Sequence, residues 1–301
     1  MTAIAAMVMA MRKEEYGSVH GHEVLRSEVV HLLAMLVRKD LKGRRAVPGL
    51  NPDRADIIVA GVAVVDELMD FFGANLLKIN ERGLREGLIL KVMKKYDLLP
   101  EDRKSRSWRE SVLEFARSCH FDEEHSLQIV RLAMAIFDGV APAFSLGQME
   151  RQMLEAAALL HDVGYFISYS GHHKHTYHLI RHADLFGFTP REREIIANVA
   201  RYHRKSLPKK KHESFERLSL QDKELVRRLG GIVRLADGLD RRRNSVVSSL
   251  ECTLSSRSFQ VRLAGDDDVS VELFGGKAKG DLFEQAFGRK LVLTTDPAAA
   301  A

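Results

Sequence analysis

Residues 151–164 read RQMLEAAALLHDVG. In a helix of 3.6 residues per turn, Met153, Ala157, Leu160, His161 and Gly164 share one face, so an imidazole ends an apolar stripe and a carboxylate follows it. Taking either group out of water without a partner is costly. Two other stretches carry the same anomaly. His125 heads a stripe formed by Ile129, Leu132, Ala133 and Ile136, and Asp237 ends one formed by Val226, Leu229, Val233 and Ala236. Singly, His125 can be a core histidine bonded to a carbonyl, and Asp237 a salt-bridge partner of Arg234 or Arg241. Together His125, His161, Asp162 and Asp237 suit one divalent metal (Mn, Mg, Fe, Co or Zn), with an open position for an activated water.

The stretches SGHHKHTYHLI (170–180) and RYHRK (201–205) add imidazoles interleaved with cations. His173, His175 and His203 are candidates for a second metal or for phosphate binding. Lys174, Arg201, Arg204 and Lys205 are candidate phosphate contacts. His172, His178, His182 and His212 read as exposed or capping histidines.

Composition bounds the rest. With 301 residues, 45% of them hydrophobic and 29% charged, the chain has room for one large domain or a few small ones. Cys119 and Cys252 are too few for a disulfide framework, which fits a reducing compartment, the cytoplasm. The opening MTAIAAMVMAM is too short to span a bilayer and lacks a preceding basic segment, so it reads as a buried helix, not a leader or a membrane anchor. A net charge of +5 is compatible with an acidic ligand and carries no specific sign of nucleic-acid binding.

The periodicity predicts a mainly α protein with α/β parts. Residues 1–95 read as mixed α/β: a helix over 22–46, a short buried strand at Ile57–Ala60 running into a helix, and a strand, turn and helix in NLLKINERGLREGLIL (75–90). A polar stretch at 97–108 reads as a linker, and the centre is helical to about residue 245. Residues 246–301 form a small α+β tail, with strands in SSLECTLSS (248–256), SFQVRLAG (258–265), DVSVELFG (268–275) and LVLTT (291–295), and a helix in KGDLFEQAFGRK (279–290).

GLNPDRADIIVAG (49–61), RGLREGLIL (82–90), LLHDVG (159–164), SGHHKHTYHLI, DLFGF (184–188) and RYHRK, in that order, resemble the exopolyphosphatase/guanosine pentaphosphate phosphohydrolase (Ppx/GppA) family. The set His125, His161, Asp162 and Asp237 resembles the metal ligands of HD-domain phosphohydrolases. The resemblance implies a remnant of a second actin-like (ribonuclease H-like) domain over 1–95, a helical HD domain over 96–245 and the tail over 246–301. The family's first actin-like domain, with its phosphate loops and catalytic glutamate, should precede residue 1. Little processive polyphosphate hydrolysis is then expected of the chain itself, together with an exposed apolar surface to which MTAIAAMVMAM contributes. The implied function is a metal-dependent phosphohydrolase with His161 and Asp162 at the reaction centre, acting on a phosphorylated small molecule. The alternative is a non-catalytic module that binds polyphosphate or dimerises. Implied partners are a second copy of the chain or a separate actin-like domain.

Overall fold

The computed structural model describes residues 1–14, 18–81, 83–96, 98, 107–265 and 267–295. The chain forms two compact units, Met1–Ser105 with Thr189–Arg191, and Arg106–Phe188 with Glu192–Ala301. Most of the stretch expected to be a linker, residues 97–108, lies outside the described residues.

The first unit packs α1 (Thr2–Arg12), α2 (Arg26–Val37) and α4 (Ile58–Phe71) around one core, beside an antiparallel ribbon of β1 (Glu23–Leu25) and β2 (Leu76–Lys78). α1 buries Ile4, Ala5, Met7, Val8 and Met9, as a buried opening helix requires. Of the run MTAIAAMVMAM only Met1 and Met11 are exposed, so it supplies little of the exposed apolar surface expected of it. That character belongs instead to α4 and the residues flanking it, where Ile57, Val64, Leu68, Phe71 and Phe72 are exposed. Ile57–Ala60 is not a strand. Ile58, Val62, Val65 and Met69 recur at three- and four-residue steps and are all buried, and this period outweighs the β-branched composition of the run. The helix expected over 22–46 divides. Glu28 accepts from the Leu25 amide at 2.8 Å and starts α2 after β1, while Asp40 accepts from the Gly43 amide at 2.7 Å and starts α3 (Leu41–Arg45). α5 (Leu84–Lys95) follows β2 as the pattern predicted.

The second unit is built on α6 (Trp108–Ser118), α7 (Glu123–Phe144), α8 (Gln148–Leu160), α9 (His172–His182), α10 (Pro190–Arg201), the short α11 (Glu213–Glu216) and α12 (Leu220–Gly238). The three stripes predicted from sequence are core: Ile129, Leu132, Ala133 and Ile136, then Met153, Ala157 and Leu160, then Val226, Leu229, Val233 and Ala236 are all buried. Among the described residues, α7 is the one helix long and apolar enough to cross a membrane, and its apolar stripe faces this core.

β3 (Val247–Leu254) and β4 (Ser258–Gly265) pair antiparallel, and β5 (Lys290–Thr295) joins β4 in parallel. The parallel pair requires a crossover, supplied by α13 (Ser270–Lys279) and α14 (Asp281–Phe287). Residues 268–275 are thus a helical start, not a strand. Asp268 accepts from the Ser270 amide at 3.0 Å and from its hydroxyl at 2.7 Å, and the turn that follows buries Glu272 against Arg242 at 2.6 Å. α13 crosses α12 at a pair of glycines. A Cβ on Gly275 would lie 2.3 Å from the Gly238 carbonyl oxygen, so only glycine permits this approach. One turn beyond the crossing, Lys279 reaches Asp237.

Candidate metal centre

Asp122 caps α7 by accepting from the His125 amide at 3.2 Å, which sets His125 in the first turn with its side chain directed into the unit. His161 closes α8, and Asp162 leads into a 3₁₀ turn at Val163–Phe166. Gly164 of that turn is pressed against α9. A Cβ there would lie 2.1 Å from the His172 carbonyl oxygen, and Thr176 ties the two elements by accepting from the Gly164 amide at 3.0 Å and donating to the His161 carbonyl at 3.1 Å. His203 lies just beyond α10.

Four imidazoles converge, and each has its Nδ1 engaged from behind. His125 Nδ1 meets Asp240 Oδ2 at 2.7 Å, His161 Nδ1 the Ala158 carbonyl at 2.7 Å, His172 Nδ1 the Tyr169 carbonyl at 3.2 Å, and His203 Nδ1 the Ala200 carbonyl at 2.6 Å. A carbonyl or carboxylate acceptor fixes the proton on Nδ1 and leaves the Nε2 lone pair aimed inward, which is how metal-binding histidines are oriented. The Nε2 atoms of His125 and His161 are buried without a hydrogen-bond partner.

Two groups of donor atoms result, each within 4.8 Å of one another: His125, His161 and Asp162, and Asp162, His172 and His203. In the second, Asp162 Oδ1 lies 3.3 Å from His172 Nε2 and 3.4 Å from His203 Nε2, and the two nitrogens are 3.3 Å apart. The corners of such a triangle are roughly 1.9 Å from its centre, so an ion with ligand bonds of about 2.0–2.2 Å fits just above its plane. Three facing lone pairs at these distances repel one another unless a proton or a metal ion lies between them. Asp237 stands beside the first group, with Oδ1 3.8 Å from His125 Nε2 and Oδ2 on the Lys279 ammonium. Nitrogen and carboxylate donors without thiolate fit Mn, Fe, Co or Zn.

The electrostatics favour the donor forms. Burial pushes His203 down to about 3 and also lowers His161, which keeps both rings neutral. Burial works against ionisation of the two aspartates, but the surrounding groups prevail. The Arg243 guanidinium holds Asp162 well below the usual carboxylate range, and the Lys279 ammonium holds Asp237 at about 2.

The structure brings His125, His161, Asp162, Asp237 and His203 together, and places the rest of the expected set differently. The second group is completed by His172, not by His173 or His175. On α9 the residue facing the centre must share a side with the buried Thr176, four positions on, and only His172 does. His173 packs edge-on to His172 with ring centroids 6.0 Å apart, and His175 is half-buried elsewhere on the helix. Of the expected basic contacts, Arg204 lines a cavity of about 150 Å³ over the centre, along with Tyr165, Tyr169, Arg241, Arg243 and Lys279. Arg201 turns to the Tyr177 and Tyr202 rings and donates to the Ser214 hydroxyl at 3.1 Å, while Lys174 and Lys205 are exposed and outside that lining. Asp237 pairs with Lys279, not with Arg234 or Arg241, and Arg234 is held by Asp281 at 2.7 Å.

Sequence reasoning missed His172, Asp240, Arg243 and Lys279. For His172 a signal existed in Gly164, whose lack of a side chain admits α9. Asp240 lies three positions, just under one helical turn, beyond Asp237 and could have been read as its neighbour.

Residues 108–273 match the family description "Ppx/GppA phosphatase, domain III", and residues 1–96 match "Ppx/GppA phosphatase family". Over 250 residues the chain is 25% identical to a guanosine-5'-triphosphate,3'-diphosphate pyrophosphatase of Pseudoalteromonas translucida (strain TAC 125), an alignment covering 82% of this chain and 48% of that protein. Over 198 residues it is 27% identical to the protein of the same name from Pseudoalteromonas atlantica (strain T6c / ATCC BAA-1087), covering 65% of this chain and 38% of that one. The aligned region thus spans at most about half the length of these curated relatives.

Proposed function

The chain belongs to the Ppx/GppA phosphatase family, and on that premise we propose that its second unit is an HD-type, metal-dependent phosphohydrolase centre. The observation that carries this reading is the common orientation of the four imidazoles, each anchored at Nδ1 with Nε2 turned inward onto Asp162 or toward Asp237. His125, His161, Asp162 and Asp237 would hold one ion, and Asp162, His172 and His203 a second, with Asp162 shared. When bound, such ions act as Lewis acids toward phosphoryl oxygens and supply a nucleophile from water at neutral pH.

The protein's own residues do the positioning. Asp240 and the Ala158, Tyr169 and Ala200 carbonyls orient the rings, and Asp162, which belongs to both groups of donors, would serve both ions. Arg204, Arg241, Arg243 and Lys279 ring the cavity where charge on a phosphate would be neutralised. The substrate in this reading is a small phosphorylated molecule cleaved at a phosphoester or phosphoanhydride bond. The names of the two relatives point to guanosine nucleotides as the first compounds to try.

The test combines elemental analysis of chelator-free protein with a panel of nucleotides and phosphoesters assayed in Mn, Mg, Co or Fe. Bound metal with turnover abolished by His161→Ala and by Asp162→Ala is the expected result. Salt-sensitive polyphosphate binding without metal-dependent turnover would replace this reading with that of a binding module.

A further inference from the structure

Two cations occupy the carboxylate oxygens that the proposed ions need. Asp237 Oδ2 holds the Lys279 ammonium while its Oδ1 faces His125, and Asp162 Oδ2 holds the Arg243 guanidinium while facing His161 Nε2 at 3.5 Å. Neither cation belongs to the helices that carry the histidines. Lys279 arrives at the end of α13 through the glycine crossing. Arg243 arrives on a backbone with φ of 57°, a left-handed conformation that residues other than Gly, Asn and Asp seldom adopt. Its guanidinium spans Asp162 and Asp122, the latter at 3.4 Å, and lies 5.5 Å from the centroid of the Tyr165 ring.

The cavity above has no aliphatic wall. Its lining is Asp, His, Tyr, Arg and Lys throughout. Tyr165 stacks on His172 with centroids 4.0 Å apart, and Arg204 lies 6.0 Å from the centroid of Tyr169, a ring that stays largely exposed. A space of about 150 Å³ with four cations on its rim and no aliphatic surface fits a compact anion and offers nothing to an acyl chain.

We propose that Lys279 and Arg243 serve two states of the site. Without metal they neutralise Asp237 and Asp162. With a divalent ion on those oxygens they turn to the cavity and hold the terminal phosphate group of the substrate. This rests on the metal reading above and adds to it the residues that bind phosphate and the part of the substrate that is recognised. Each cation has the flexibility or shape for the second role: Lys279 is a point charge on a four-carbon stem, and Arg243 presents a planar fork that matches two phosphate oxygens. Because each cation competes with metal and then assists phosphate, metal and phosphate must favour each other's binding by the same factor.

Calorimetric titration of the full chain tests this, with MnCl2 alone, with inorganic phosphate alone, and with inorganic phosphate on the Mn-loaded protein. Wild type is expected to bind phosphate at least about fivefold more tightly when loaded with Mn. Lys279→Met should bind Mn at least about threefold more tightly than wild type, because a competing charge is gone, and should bind phosphate about tenfold more weakly in the Mn-loaded form. Arg243→Gln should shift both affinities in the same two directions, and it carries the comparison if Lys279→Met does not fold. A cation that keeps its place would weaken phosphate binding by the same factor with and without Mn, whereas a cation that changes partner weakens it chiefly in the Mn-loaded form. A variant that folds and binds Mn no more tightly, or that binds phosphate as well as wild type, overturns the proposal and leaves the metal centre standing. A wild-type protein that binds no Mn overturns both.

Discussion

Replacing Gly275 by alanine probes the contact on which the geometry of the tail depends. The new Cβ would sit 2.3 Å from the Gly238 carbonyl oxygen and 3.2 Å from the Arg241 Cβ. The nearest obstacle is backbone, so no rotamer change relieves it, and α13 must move off α12 by about an ångström to reach van der Waals distance. Overpacking of this kind costs typically about 1–3 kcal/mol. Alanine recovers roughly 0.5–1 kcal/mol of helix propensity, so the net loss is roughly 0–2.5 kcal/mol, centred near 1 kcal/mol, or on the order of 2–4 °C in Tm for a unit of this size. Gly230→Ala on α12 is the control. Its Cβ would meet its nearest neighbour, Leu282 Cδ2, at 3.5 Å, an ordinary contact, so the variant should melt at or slightly above wild type. Differential scanning calorimetry reads both. Because Lys279 lies one turn past Gly275, the destabilised variant should also show altered Mn affinity by calorimetric titration. A Gly275→Ala protein as stable as the Gly230→Ala control would refute the close crossing and, with it, the delivery of Lys279 to Asp237.

Two further outcomes concern the metal centre. Elemental analysis should find about two ions per wild-type chain, about one in His172→Ala, and the wild-type content in His173→Ala; equal loss in the two variants would remove the distinction drawn between neighbouring histidines. Asp240→Asn keeps the size of a buried side chain whose carboxylate anchors His125 Nδ1 at 2.7 Å, so Mn affinity should fall about 10–100-fold with the fold retained by circular dichroism. Unchanged affinity would mean that Asp240 orients nothing.

The helical centre was legible because its apolar stripes are long and strictly periodic, and the same stripes exposed His125, His161, Asp162 and Asp237 as polar intruders. Short segments were less legible. Ile57–Ala60 and residues 268–275 both alternate or cluster in ways that suit a strand, and each became helical through partners remote in sequence: the core of the first unit for α4, and Arg242 and the Gly238 crossing for α13. The basic residues among the histidines were equally ambiguous, since composition placed four cations, Lys174, Arg201, Arg204 and Lys205, near the site, and of these only Arg204 lines the cavity.

By itself the sequence determined which side chains could not be ordinary core or surface, because burial of a charge or an imidazole on an apolar helix face is a local property of spacing and polarity. It also determined the family, through motifs in a set order. Tertiary structure alone decided which of the adjacent histidines on α9 faces Asp162, which carboxylate stands behind His125, and which two cations reach the centre. Those choices depend on how far one helix is turned against another and on how closely two backbones approach at Gly164, Gly238 and Gly275, and rotation and approach are set by packing between segments tens of residues apart.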